Sequence, residues 1–282
     1  KVDFLNIIRG HIDTDAALTK VIPIQGMASS PHVDFAGDIK QKTCFPIFHA
    51  SKINDVATAR YSVQTGKLDM VGMTRAHIAE PNIVNKIITQ KEDTIRPCVG
   101  ATYCLDRIYE GKDTLCVHNP STGREMIMPH VFEKNTPKLR KIVIVGAGPS
   151  GLEAARICSE RGHEVIVFEA TDKPGGQINL ITRSTKRKDM IGIVDWRVQM
   201  CEKNNVKIIY NNFVTKEEIL KQDPDVIIIA TGGVPNIDVL EEGSDLVVST
   251  WDVLSGNVNL EDDIVLYDDG GYFSGLQAAE LI

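Results

Sequence analysis

An excess of positive charge, long apolar runs and a leader-like N-terminus are all missing from this 282-residue chain. The net charge of -7 leaves no basic surface of the kind that tracks a nucleic-acid backbone, so no nucleic-acid partner is expected. No apolar run approaches eighteen residues, which excludes a helical membrane span. Lys1-Val2-Asp3 leads straight into an apolar strand, without the regions of a signal peptide, and a cytoplasmic location follows as the expectation. Cysteine is sparse, and its six copies (Cys44, Cys98, Cys104, Cys116, Cys158 and Cys201) are not expected to form a disulfide framework in that compartment. Three of them fall within nineteen positions, which points to a metal or redox site. What is present is apolar content of 43%, enough at this length for two domains with cores of their own.

The most informative stretch runs from Lys141 to Glu169. The apolar run Ile142 to Val145 is too short for a helix and suits a buried parallel strand. It breaks at Gly146-Ala147-Gly148-Pro149-Ser150-Gly151, which is G-x-G-x-x-G, and Leu152 to Arg161 then reads as a helix of good formers that Gly162 ends. A second strand, Val165 to Phe168, closes with Glu169 about twenty residues beyond the glycines, where a ribose-binding carboxylate belongs. Each position has a physical role towards a dinucleotide. Gly146 permits the tight turn, Gly148 lets the backbone approach a pyrophosphate, and Gly151 lets the helix pack close to the sheet. The helix N-terminus then offers unpaired N–H groups and partial positive charge to the phosphates.

Residues 1 to about 92 alternate strand and helix, with strands expected at Asp3 to Ile8, Phe45 to His49 and Leu68 to Met73. Helices are expected at Asp34 to Lys42, Asn54 to Gln64 and Asn82 to Thr89, giving a β/α repeat with a parallel sheet. Polar residues gather after the strands: Arg9, His11, Asp13 and Asp15; then Ser51 and Lys52; then Thr74, Arg75 and His77. In β/α barrels these strand ends form the active face. Three strands cannot close an eight-stranded barrel, so this is either part of a barrel or a small open α/β domain. The start without methionine and the end at Ile282 favour a fragment. Between Ile95 and Arg124 the composition changes, and Cys98, Cys104 and Cys116 follow C-x5-C-x11-C, an interval at which thiolates can converge on an iron–sulfur cluster or zinc. The same cysteines could equally be buried hydrophobes.

Five runs in fixed order then carry a resemblance over nearly the whole chain: GMTRAHIAEPNIV; RPC-VG with CLDRIYEG and C-x-HNPSTGRE; VIVGAGPSGLEAAR; FEA-x4-GGQ at Phe168 to Gln177; and IIIATGGVPN at Ile227 to Asn236. The chain resembles the iron–sulfur flavoenzymes related to old yellow enzyme, of the trimethylamine dehydrogenase and 2,4-dienoyl-CoA reductase type. The resemblance implies an α/β fold in which the C-terminal part of a TIM barrel precedes a cysteine-rich segment and a Rossmann-like dinucleotide-binding domain. It places the barrel part, which binds flavin mononucleotide (FMN), at 1–93, the cysteine segment and linker at 94–136, and the FAD- or ADP-binding domain at 137–282, with a degenerate NAD-type subdomain from about 262. It implies that Arg75, with Gly72 and Met73, holds the FMN phosphate, and that Ser51 and Lys52 form the other phosphate-binding loop. Gly146, Gly148, Gly151, Glu169, Gly176 and Gln177 match the adenine-dinucleotide motif, and Thr231, Gly232 and Gly233 match a second one.

The chain departs from that pattern in three places. Ala101 stands at the second of four cluster cysteines, leaving Cys98, Cys104 and Cys116. The first five barrel strands are absent. In the last segment Tyr272 falls between Gly270 and Gly275, where the middle glycine belongs, beside Asp268 and Asp269, so NAD(P)H is expected to bind poorly. The branch most resembled oxidatively demethylates N-methylated amines such as dimethylglycine or N-methylproline. The implied cofactors are FMN, FAD or ADP, and an iron–sulfur cluster. The implied partners are an N-methylated amine, an electron-transfer flavoprotein or similar carrier, and further copies of the chain. His11, Asp13 and Asp15 are the candidates here for contacting a cationic amine. The alternatives are an NAD(P)H-dependent enoyl reductase of the same family and a catalytically silent nucleotide-binding fragment.

Overall fold

Each apolar run expected in residues 1–92 forms a strand, shorter than its apolar span. The computed structural model describes residues 1–132, 134, 138–237, 240–260, 263–268, 270–271 and 273–282, and the chain divides into two units, Lys1–Val131 and Phe132–Ile282. In the first, β1 (Leu5–Ile7) leads to α1 (Asp15–Val21) and α2 (Val33–Lys40), then β2 (Ile47–His49), α3 (Val56–Gln64) and β3 (Met70–Val71). Three short helices follow: α4 (Thr74–Ala79), α5 (Ile83–Ile88) and α6 (Tyr103–Tyr109). The strands pair in parallel in the order β1-β2-β3, with Ile7 opposite His49 and His49 opposite Val71.

Period-two alternation decides what each strand side chain meets. Ile47 packs in a core with Val33 and Ala36 of α2, Ile53, Ala59 of α3 and Leu68. Phe48, between Ile47 and His49, turns to the other face and stacks on Phe4 at 4.5 Å. Asp69 ties the sheet to its helix layer, accepting from Ile47 N–H at 2.8 Å and from Lys40 Nζ at 2.5 Å. Helix α1 was not expected; Thr14 starts it by accepting from Ala17 N–H at 3.2 Å. Asp55 caps α3 in the same way, from Thr58 N–H at 2.7 Å.

The HNPST run after the cysteines is buried and caps α4. Asn119 Nδ2 donates to Ala79 O at 3.1 Å and Thr122 Oγ1 donates to Ile78 O at 2.8 Å, satisfying carbonyls that a helix end leaves unpaired. His118 Nδ1 bonds Pro97 O at 2.9 Å. The segment is thereby fastened to the first unit.

The second unit contains β4 (Lys141–Val145), α7 (Pro149–Glu160), β5 (Glu164–Phe168), α8 (Ile178–Ile181), α9 (Gly192–Lys203), β6 (Lys207–Ile209), α10 (Lys216–Leu220), β7 (Val226–Ile229), α11 (Thr250–Ser255) and α12 (Phe273–Leu281). Its four strands are parallel, in the order β6-β5-β4-β7. Central β4 is buried on both faces, as its unbroken apolar run requires. Helices α7 and α9 are joined by a buried charge network in which Glu153 bonds Arg156 at 2.5 Å and Arg197 at 2.8 Å. Burial pushes the neighbouring Cys201 thiol up to about 12, so it stays neutral. Residues 264–268 form no strand, unlike the βα unit expected there, and Tyr272 and Asp269 lie outside the described residues. Among the described residues no helix is long and apolar enough to cross a membrane.

Candidate functional site

Residues distant in the first unit's sequence enclose a cavity of about 250 Å³. Its wall includes Ser51 after β2, Gly72 after β3, Thr74 and Arg75 in the first turn of α4, and Cys104 and Leu105 of α6. The guanidinium of Arg75 is fixed by one donated bond, NH1 to Pro23 O at 2.8 Å. A guanidinium has five donors, so most of the fork is left for a ligand. Ser51 Oγ is buried in the same wall with no hydrogen-bond partner, which is costly unless something in the cavity supplies one. One anchored cation and one orphaned hydroxyl fit an anionic group such as a phosphate.

Of the other residues expected around a phosphate, Lys52 and Gly72 line the same cavity and carry structural contacts as well. Lys52 is buried, with backbone φ of 49°, and its ammonium donates to the carbonyls of Ile24 and Met27, holding that turn in place. Gly72 is required by packing, since a Cβ there would stand 2.6 Å from the Ala50 Cβ. Met73 packs against the hydrophobic core. His11 and Asp13 pair at 3.3 Å on an exposed loop, and Asp15 is the first residue of α1; none of the three lines the cavity.

Cys98, Cys104 and Cys116 lie close enough to influence one another electrostatically, and Arg75 acts on Cys98 and Cys104. Burial pushes both of these thiols above their ordinary value, while backbone N–H groups and Arg75 oppose that. Among the described residues no three His, Cys, Asp or Glu side chains gather around a single metal ion. The ligands of a cluster bind different irons and stand further apart than the ligands of one ion. The three cysteines, with Ala101 in the same loop, are a donor set for three corners of a cluster and one short of the four-cysteine kind.

In the second unit the glycine motifs converge. Gly146 has φ of 104°, and a Cβ there would meet Ala230 O at 2.4 Å; a Cβ on Gly151 would meet Gly146 O at 1.9 Å. Gly148 faces open space on its Cβ side. A Cβ on Gly176 would reach the Gly148 Cα at 3.4 Å, and one on Gly232 would reach Gln177 Nε2 at 3.8 Å. Thr231 follows Ala230 beside Gly146. Glu169 ends β5 and accepts from Ala147 N–H at 2.7 Å and from Thr171 at 2.9 and 2.8 Å. These groups surround the C-terminal ends of β4, β5 and β7, at the point where the strand order reverses, which is where open α/β sheets bind ligands. Thr171 was not anticipated, and neither was α6 as a cavity wall.

Residues 144–208 match the model of an NAD(P)-binding Rossmann-like domain. The whole chain is 57% identical to a probable N-methylproline demethylase of Rhizobium meliloti, covering 41% of that protein. It is 44% identical over 99% of its length to a multifunctional alkene reductase/demethylase OYE of Caballeronia cordobensis, covering 40% of it. The chain belongs to the flavoenzyme family related to old yellow enzyme. The structure of a 2-naphthoyl-CoA reductase superposes with a TM-score of 0.82 over 92% of this chain and 39% of that one, at 29% identity. The chain spans about two fifths of the length of the curated relatives it matches.

Proposed function

We propose that this chain contributes the FMN-phosphate end of a TIM barrel (1–93), a cysteine segment (94–136) and an FAD- or ADP-binding domain (137–282) to an oxidoreductase that demethylates an N-methylated amine. The observation that carries this reading is the single cavity in which anchored Arg75 and the orphaned Ser51 hydroxyl face the same space, with α6 of the cysteine segment as its wall. Similarity to a probable N-methylproline demethylase supports the substrate class. Arg75 and Ser51 would hold the FMN phosphate, and Gly148, Gly176 and the first turn of α7 would receive the pyrophosphate of the second nucleotide. When bound, the flavin supplies the two-electron oxidation of the N-methyl carbon; the chain's residues orient and hold it. His11, Asp13 and Asp15 stand outside the phosphate cavity and remain the candidates for contacting the amine.

For the electron acceptor we infer a protein carrier, such as an electron-transfer flavoprotein, in place of NAD(P)H. The N–H groups of Gly270 and Gly271, which in a dinucleotide loop would face phosphate, donate to Asp268 Oδ1 at 3.2 and 3.1 Å. The Asp268 carboxylate also fills the space beside Gly275, where a Cβ would meet it at 2.4 Å. A carboxylate in that place repels an incoming pyrophosphate. The name of the Caballeronia cordobensis relative joins both activities, which keeps alkene reduction as the second reading. Anaerobic mixing of the whole flavin-loaded protein with N-methylproline or dimethylglycine, and separately with NADPH, decides between them. Bleaching of the flavin by the amine and not by micromolar NADPH is expected. Rapid, saturable bleaching by NADPH transfers the assignment to the reductase, and bleaching by neither leaves a silent nucleotide-binding protein.

A further inference from the structure

The cysteine segment carries more polar apparatus than buried hydrophobic thiols require. The backbone N–H of His118 donates to Cys116 Sγ at 3.4 Å, and backbone N–H groups near Cys98 and Cys104 favour negative charge on those sulfurs as well. The cation of Arg75 lies within electrostatic reach of two of them, and Cys104 shares a cavity wall with it. Cysteine used as a small hydrophobe needs no such donors. Sulfur that bears negative charge does, since N–H bonds and a nearby cation stabilise it and tune a cluster bound to it.

Backbone strain lies beside the same sulfurs. Thr102, a β-branched residue, has φ of 66°, in the left-handed region, immediately before α6, and Gly100 has φ of 68°. Such a conformation persists only where surrounding structure imposes it, and such residues gather at ligand sites. Between these two residues stands Ala101, whose methyl group cannot ligate iron. Ala101 thus stands between two residues of positive φ, where the family resemblance expects a second cysteine.

We propose that Cys98, Cys104 and Cys116 bind an iron–sulfur cluster by three corners only, as a [3Fe–4S] core whose fourth iron, when taken up, is exchangeable and open to a small donor such as water, hydroxide or a carboxylate. The proposal rests on the reading of these three cysteines as cluster ligands. It goes further in assigning the corner at Ala101 a labile iron instead of a protein-held one.

The test is anaerobic reconstitution of the whole chain with ferrous iron and sulfide, in the wild type and in Ala101→Cys, followed by chelator treatment, iron and acid-labile sulfide assays, and electron paramagnetic resonance. The wild type is expected to keep about three irons per four sulfides and to show the signal of an oxidised three-iron cluster, while Ala101→Cys keeps about four. Without chelator, the reduced wild-type spectrum is expected to shift on addition of cyanide, and that of Ala101→Cys is not. Equal retention of all four irons in both proteins, with no cyanide shift, overturns the open corner and leaves the cluster. A cluster in Ala101→Cys alone shows that three thiolates do not suffice. No cluster in either protein, with flavin bound normally, overturns the cysteine assignment itself and leaves the flavin reading standing.

Discussion

In Lys1–Val131 the cavity is lined by side chains that suit an anion, the anchored guanidinium of Arg75 and the hydroxyl of Ser51, whereas in Phe132–Ile282 the turn Gly146 to Gly151 offers bare backbone and the first turn of α7. The first arrangement supplies a full charge and depends on residues from several elements being brought together. The second supplies partial charges and depends on the absence of side chains along one continuous turn. A single charged contact should therefore dominate binding in the first unit. In the second, shape should dominate, and errors of shape should reach the fold as well as the ligand.

Gly151→Val tests the second half of that contrast and should have the largest effect. Its Cβ would stand 1.9 Å from Gly146 O, and overpacking of that kind costs at the upper end of about 1–3 kcal/mol. Thermal unfolding followed by circular dichroism should show the second unit destabilised and its nucleotide lost. Gly148→Ala is the control: nothing in the protein lies within 4 Å of its Cβ position, so stability should hold while affinity for FAD or ADP falls about tenfold or more. Equal destabilisation by both substitutions would remove the distinction between the glycine that serves the fold and the glycine that serves the ligand.

Arg75→Ala should weaken FMN retention by about 1.5–3 kcal/mol, or about 10- to 150-fold in Kd, because a charge-assisted phosphate contact is lost. Binding of the second nucleotide should be unchanged. Titration of both cofactors against the whole protein reads the two effects separately, and unchanged FMN affinity would take Arg75 out of the site.

The smallest effect is a pH dependence confined to the first unit. Burial pushes the His49 imidazole below its ordinary value of 6.5, against the opposing bond of its Nδ1 to Ile7 O at 2.8 Å; neighbouring His32 lowers it further. As pH falls below about 6.5 the unfolded chain takes up a proton that the folded chain refuses, so stability declines towards the lower folded value. The slope cannot exceed about 1.4 kcal/mol per pH unit for one proton. His49→Asn should flatten that slope in denaturant midpoints measured between neutral and mildly acidic pH, leaving the second unit's transition as it was. An unchanged slope would assign the dependence elsewhere.

The Rossmann-like turn was legible because its determinants are contiguous: four apolar residues, three glycines at fixed intervals, a helix and a terminal acid. Gly146 and Gly151 then proved to be forced by backbone contacts while Gly148 faces open space, and Glu169, expected to bind a ribose, bonds Ala147 of the glycine loop. The strands of the first unit were equally legible from short apolar runs. Less was visible where a residue's partners come from far along the chain. Lys52 reads as a phosphate-binding lysine after a strand, and it does line the cavity, but its bonds to the carbonyls of Ile24 and Met27 could not be read from the sequence. The HNPST run reads as part of a cysteine motif, yet Asn119 and Thr122 cap α4, some forty residues earlier. His11, Asp13 and Asp15 follow a strand as catalytic residues do, but they precede or open α1, and it is the far end of that helix, at Val21 and Ile22, that lines the cavity.

Sequence alone determined where the strands of the first unit and the two around the glycine turn lie, where the backbone must be bare, and that Ala101 stands where the resemblance expects a cysteine, because each is a property of consecutive residues and their spacing. Tertiary structure alone decided that Arg75 shares a cavity with Ser51, Lys52 and Cys104, that the Lys52 ammonium also bonds the carbonyls of Ile24 and Met27, and that Asp268 satisfies the N–H groups of Gly270 and Gly271. Hydrogen bonds and charges act through space over a few ångströms. Which donor finds which acceptor is therefore settled only once packing has set the distances between elements that the chain itself keeps apart.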